Sequence, residues 1–328
     1  MVEPALLMLI AFLLDLLIGD PAYRFHPIRL LGRWIALVEK GLRRFSLDGR
    51  AGGTVLVAAA TGMALGAFVL LSLFASRVHP WAARLFHLYM AYAGLALGDL
   101  LRHLRPVIQG LETGDLPDAR RALGCVVGRD VTSLDRAAVV RAAVETLAEN
   151  FVDGFLAPLF WYALGGILAP LLGLPPTPSA LGALILFKTA STLDSMVGYR
   201  NHRYVRFGWA GARMDDAMNF LPARLSIPIL FLGACLSGFS PLEGLRAALR
   251  DRLKHESPNA GHPESFTAGA LGIRLGGPSE YHGELKYKSW LGEVDGKPEI
   301  RHISDTIMLL RKSAWVAMVV LLSPLPFR

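Results

Sequence analysis

The sequence predicts an all-α fold, a polytopic helical integral membrane protein with large polar cytoplasmic loops. Three observations carry that reading. Charged residues make up 19% of the 328-residue chain against 53% hydrophobic residues, and its mean hydropathy is +0.40; water-borne domains usually carry about 25% charged residues. Apolar runs recur near the length of about 17–25 residues that crosses a hydrocarbon core, where a backbone satisfying its own hydrogen bonds is helical. Basic residues crowd some connections and are nearly absent from others, as the positive-inside rule requires.

The first run, residues 4–19, lacks a basic leader and a small-residue cleavage site, so it reads as a retained span rather than a secretory signal. Runs 52–75, 81–101 and 155–174 follow. Runs 179–192, 221–239 and 314–327 are shorter or interrupted. Pro222 and Pro228 break the run at 221–239, which is therefore expected not to cross singly. Between the runs lie polar loops 20–51, 102–150, 194–220 and 240–312, all within one integral membrane domain, residues 1–328. Arginines such as Arg29, Arg43, Arg120 and Arg141 place the first two loops in the cytoplasm. The excess of 34 Lys and Arg over 27 Asp and Glu has no basic-aromatic or zinc-finger module around it, which argues against nucleic acid as a partner. Cys125 and Cys235, the only cysteines, give no disulfide framework or thiolate site.

Four polar blocks stand out. In the first, Asp15 lies inside an apolar run ahead of Gly19, Asp20 and Pro21, with His26 and Arg29 following. An intramembrane carboxylate is costly and pairs or faces a polar cavity; a helix stop with interfacial anchors explains the same residues. In the second, Glu145, Glu149 and Asp153 recur every four residues, on one face of a helix. Like charges so arranged invite a cation, and magnesium prefers such oxygens. The third brings Lys188, Arg200, Arg203 and Arg213, suited to phosphate or carboxylate groups, together with Asp215, Asp216 and Asn219 as a further metal-binding set. Positive-inside arginines explain the charges alone, but not the Ser, Thr, Tyr and Asn among them.

The fourth block is the densest, running from His255 through Glu256, Ser257, Pro258, Asn259, Gly261, His262, Pro263 and Glu264 to Ser265. Its prolines predict a shaped loop. His255 and His262 suit acid–base work or hydrogen bonding to phosphate, and no third imidazole or cysteine stands near enough for zinc. Gly276 and Gly277 downstream allow close backbone approach to a ligand, ahead of Tyr281, Gly283, Glu284 and Lys286. No GxxxxGK[ST] or GxGxxG run occurs, so a bound nucleotide would not use those loops.

Taken in order, these motifs resemble the adenosylcobinamide-phosphate synthase family, integral-membrane ligases of cobalamin biosynthesis. The resemblance spans nearly the whole chain and rests on the blocks at Asp15 and His26, on Arg120, Gly124, Gly128, Arg129 and Asp130, and on residues 145–154, 188–204 with 215–224, and 257–264 with 271–278. One departure is Ser289, where the family pattern has proline after lysine. The resemblance implies ATP- and magnesium-dependent amide formation between adenosylcobyric acid and (R)-1-amino-2-propanol or its O-phosphate. The side-chain chemistry suits that reaction: catalytic roles are expected of His255, His262, Glu264 and Lys188, and nucleotide contacts of Arg200, Arg203, Arg213, Ser257, Asn259, Gly276 and Gly277. Glu145, Glu149, Asp153, Asp215 and Asp216 would hold magnesium. The resemblance further implies a bacterial-type cytoplasmic membrane, a site facing the cytoplasm, and association with other membrane enzymes of the pathway. Two other classes fit parts of the pattern: a membrane-embedded prenyltransferase or phosphotransferase working on magnesium diphosphates, and a transporter with broken helices around Asp15.

Overall fold

The structure is a computed structural model that describes residues 4–19, 23–128, 130–281 and 284–325. Asp20, Pro21, Arg129 and Gly283, and the side chains of Tyr281, Glu284 and Lys286, lie outside the described residues. In chain order the helices are α1 (Pro4–Ile18), α2 (Pro27–Arg44), α3 (Arg50–Val78), α4 (Pro80–Ala93), α5 (Leu97–Glu112), α6 (Leu116–Gly124) and α7 (Arg136–Phe151). After a π-helical turn (Val152–Leu156) come α8 (Ala157–Leu168), α9 (Pro176–Val197), α10 (Trp209–Ser237), α11 (Pro241–Asp251) and α12 (Gly261–Leu271). An antiparallel hairpin, β1 (Arg274–Tyr281) with β2 (Glu284–Gly292), precedes α13 (Arg301–Leu322). Among the described residues four helical stretches are long and apolar enough to cross a membrane: Arg50–Val78, Arg136–Leu168, Pro176–Val197 and Trp209–Ser237.

The chain divides into two compact units. One comprises Met1–Ala96, Ala157–Asn219 and Val320–Arg328. In it Leu31 and Ile35 of α2 bury against Leu56 and Ala60 of α3, Leu193 and Val197 of α9, and Phe207. His26 starts α2 by accepting the Ile28 amide at 3.3 Å, with Pro27 preset for the first turn. Gly165 lets α8 approach α9 closely, since a Cβ there would lie 2.7 Å from the Ser179 carbonyl oxygen.

The other unit comprises Leu97–Leu156 and Phe220–Val319. Here α12 lies against α7, α11 and the hairpin, and α7 meets β1. Asp135 caps α7 by accepting the Ala138 amide at 2.7 Å. Asp251 anchors the end of β2, accepting the Gly292 amide at 2.9 Å while bound by Arg250 and Lys254. Burial pulls its carboxyl upward, but those three hydrogen bonds and the Arg250 charge win and hold it at about 2.

Helical form and spanning-length helices follow the sequence reading; several boundaries do not. The polar segments are largely folded rather than open loops: α2 occupies most of 20–51, α6 and most of α5 and α7 fill 102–150, and α11, α12 and the hairpin fill much of 240–312. The run at 81–101 divides at Gly94 into α4 and α5. The run expected from 155 begins at Arg136, its start hidden from a hydropathy window by the carboxylates between 145 and 153. The expected break in α10 is absent. Pro222 leaves the Met218 carbonyl without an intrahelical donor, and Trp161 Nε1 donates to it instead at 3.0 Å. The helix thus runs unbroken for 29 residues, about 43 Å at the usual rise. The hairpin was unforeseen in an all-α reading.

Candidate functional site

The polar block at 255–265 is only half a loop. Helix α12 begins at Gly261 and takes Pro263 into its first turn, where a missing amide costs little. Ahead of it the Ser257 amide donates to His255 Nδ1 at 3.0 Å, and Ser257 Oγ accepts the amides of Asn259 and Ala260 at 3.3 and 3.2 Å. Ser265 Oγ closes on the Gly261 carbonyl. His262 and Glu264 are buried, at 1% and 3% exposure.

Those bonds decide the protonation of the two imidazoles. Burial lowers the pKa of His255, helped by the Lys288 charge and opposed by Glu145 and Glu256. The neutral ring accepts from Ser257 through Nδ1, so its proton sits on Nε2. That nitrogen faces Glu264 Oε1 at 3.8 Å. His262 is held lower, at about 4, by burial and then by the Arg224 and Arg252 charges, against a backbone hydrogen bond at Asn259. Its Nδ1 is buried and meets no hydrogen-bond partner among the described residues. His255 is therefore a donor at Nε2, while His262 keeps a ring nitrogen unengaged.

Glu145 joins this group from α7. It is buried and accepts the Gly276 amide at 2.7 Å. Gly276 and Gly277 sit at φ of +79° and +78°, beside the register shift of the hairpin. A Cβ on Gly276 would lie 2.3 Å from the Ser289 carbonyl oxygen, and one on Gly277 would strike the Trp290 ring at 2.3 Å. Ser289, the departure from the family pattern, thus lies within the bulged stretch of β2. Arg274 stacks on Trp290 at 3.7 Å, and Arg141 approaches the same ring at 5.4 Å.

The unit containing α8 and α9 carries the remaining candidates. Arg200 acts electrostatically on both Asp194 and Asp216, and Arg213 acts on Asp216. Asn219 Nδ2 donates to Asp215 Oδ2 at 3.2 Å. Its carbonyl oxygen Oδ1 is buried without a donor among the described residues. Gly198 permits this arrangement, because a Cβ there would lie 1.9 Å from Asp194 Oδ1. Lys188 is half-buried on α9, lining an apolar cavity of about 300 Å³ with Tyr89 and Phe68. Arg203 is exposed and donates to Glu39 at 3.1 Å.

The predicted residues thus fall into two sets: Lys188, Arg200, Arg203, Arg213, Asp215 and Asp216 in one unit, and Glu145, Glu149, Asp153, His255, Ser257, Asn259, His262, Glu264, Gly276 and Gly277 in the other. Glu145 is buried, Glu149 exposed and Asp153 half-buried on the π-helical turn. Among the described residues no group of three or more His, Cys, Asp or Glu side chains has metal-holding geometry. For magnesium, which needs only one or two carboxylates beside phosphate oxygens and water, Asp215, Asp216 and Asn219 fit best: the buried Asn219 oxygen lacks a proton to accept and suits a cation. Glu145 fits less well, one oxygen being already engaged by an amide. Asp194 and Lys288 were not singled out from sequence; the Asp194–Gly198 spacing was the available signal for the first.

The sequence profile of the family described as CobD/Cbib protein matches residues 8–310. Cobalamin biosynthesis protein CobD of Pelobacter propionicus is 44% identical over 299 residues, covering 90% of this chain and 88% of its own. The CobD protein of Klebsiella pneumoniae is 42% identical over 312 residues, covering 94% and 92%. Cobalamin biosynthesis protein CbiB of Salmonella typhimurium is 40% identical over 321 residues, covering 96% and 95%. No solved structure matches the chain. With a profile match running almost end to end and relatives this similar over nearly their full lengths, the chain belongs to the CobD/CbiB family.

Proposed function

We propose that this protein acts in cobalamin biosynthesis as an ATP- and magnesium-dependent ligase. It would join the amine of (R)-1-amino-2-propanol, or of its O-phosphate, to the free carboxyl of adenosylcobyric acid as an amide, yielding adenosylcobinamide or its phosphate. The names of the relatives support the pathway. The observations that carry the chemistry are the charge contacts of Arg200 with Asp194 and Asp216 and of Arg213 with Asp216 and, at the neighbouring Asp215, the hydrogen bond from Asn219, whose own oxygen is unsatisfied; such residues suit a metal–phosphate group.

Magnesium with ATP would supply activation of the carboxylate as an acyl phosphate. Asp215, Asp216 and Asn219 would hold the metal, while Arg200 and Arg213 neutralise phosphate charge. Within the other unit, His262, neutral at pH 7 with an open ring nitrogen, is the group suited to take a proton from a substrate amine, since a protonated amine is no nucleophile. His255 would donate its Nε2 proton in a hydrogen bond to substrate oxygen, held in that tautomer by Ser257. The test is incubation of membranes holding the protein with ATP, magnesium, adenosylcobyric acid and aminopropanol phosphate. Amide product with stoichiometric ADP is expected. Pyrophosphate release from a lipid diphosphate instead would favour the prenyltransferase class, and flux across liposomes without ATP turnover would favour a transporter.

A further inference from the structure

One end of the apolar cluster around Ile35 and Phe207 opens into a cationic cleft. The last turns of α2 supply Lys40, Arg43 and Arg44, the turn after α9 supplies Arg203, and with Ala36 and Glu39 they line about 470 Å³. Its one carboxylate, Glu39, is buried and already engaged, accepting from Arg43 Nε at 2.8 Å and from Arg203 at 3.1 Å. Arg43 is fixed further: its guanidinium lies 4.5 Å from the Phe207 ring and donates to the Arg203 carbonyl at 3.2 Å. Lys40 and Arg44 are exposed, and neither meets an ion-pair partner among the described residues. The cleft therefore holds a rigid cationic floor and two unspent charges.

Its position says which anion fits. Arg50 opens α3, Val197 closes α9 and Trp209 opens α10, so the cleft lies among the ends of spanning-length helices. Phe45, Tyr199, Val205 and Trp209 are exposed on the same segments, the mixture of aromatic and basic residues found where a membrane meets water. The spanning window of α3 is only 17% buried, leaving an apolar wall beside the cleft. We propose that this cleft binds the phosphodiester headgroup of an anionic glycerophospholipid, whose acyl chains lie along α3. A phosphodiester stays singly charged at physiological pH, so the match needs no proton on either side. Lys40 and Arg44 would supply the attraction and Arg43 the fixed geometry.

This inference rests on α3, α9 and α10 as membrane spans and is independent of the proposed ligation. Its test is native mass spectrometry of the delipidated full chain in detergent, titrated with phosphatidylglycerol or phosphatidylcholine. Phosphatidylglycerol is expected to bind about tenfold more tightly. The K40Q/R44Q double variant should lose that preference and keep its phosphatidylcholine binding and thermal unfolding, whereas K40R/R44K should retain the preference. Equal preference in K40Q/R44Q and the parent would overturn the proposal. So would displacement of the lipid by inorganic phosphate at comparable concentration, which would mark a small-anion site.

Discussion

At the scale of single residues, protonation in the block at 255–264 makes the sharpest demands. His262 titrates at about 4 when folded and near 6.5 when not, so the unfolded chain binds the extra proton between those values. Stability is complete above pH 6.5 and falls as the pH drops toward 4, by about 3 kcal/mol at most. Asp251, held at about 2 against 3.8 when free, keeps its contribution until lower pH and leaves the window to the imidazoles. Thermal unfolding of His262→Gln, followed from pH 7 to 4, should lose less stability than the parent. The same variant should lose about a hundredfold in amide formation if His262 is the base; retention of the parent's pH–rate profile would remove that role. Gly277→Ala carries a different demand, since its Cβ meets the Trp290 ring at 2.3 Å from a left-handed backbone. It should destabilise by roughly 1–3 kcal/mol, read as a lowered melting temperature in detergent.

Among elements, α10 shows how a sequence rule can be correct locally and fail in context. Pro222 removes a helix bond, as its chemistry requires, but the indole of Trp161 replaces it from 57 residues away. Substituting Trp161→Phe should cost about 1–2 kcal/mol through the stranded carbonyl, more than its area predicts. What was legible in the sequence followed short-range rules. Apolar runs marked the spanning helices, and the four-residue spacing of Asp215 and Asn219 placed them on one helix face, where they hydrogen-bond. What was not legible depends on distant partners. Glu145 looked like one of three equivalent ligands, yet its burial depends on an amide 131 positions later. Glu149, with the same local pattern, is exposed. The hairpin gave little alternation to read, with two glycines and a proline inside β1, and its glycines are explained by Ser289 and Trp290 across the strand pair.

For the whole molecule, the membrane reading makes a topological demand. Basic residues at the Arg50 end of α3, and few beyond its far end, put the Arg50 end in the cytoplasm. In a cysteine-free C125S/C235S background, a cysteine replacing Asp48 should resist a membrane-impermeant thiol reagent in intact cells. One replacing Val78 should react. The opposite labelling would invert the assignment and, with it, the leaflet that supplies the proposed phospholipid.

The bond between Glu145 and Gly276 also bears on how the protein is made. Helix α7 leaves the ribosome well before β1 exists, so while translation covers the separation of 131 positions this carboxylate lacks the Gly276 amide. Until then it must stay hydrated or borrow a temporary partner. The final seating of this side chain, rather than of the helix that carries it, therefore waits on the glycine pair.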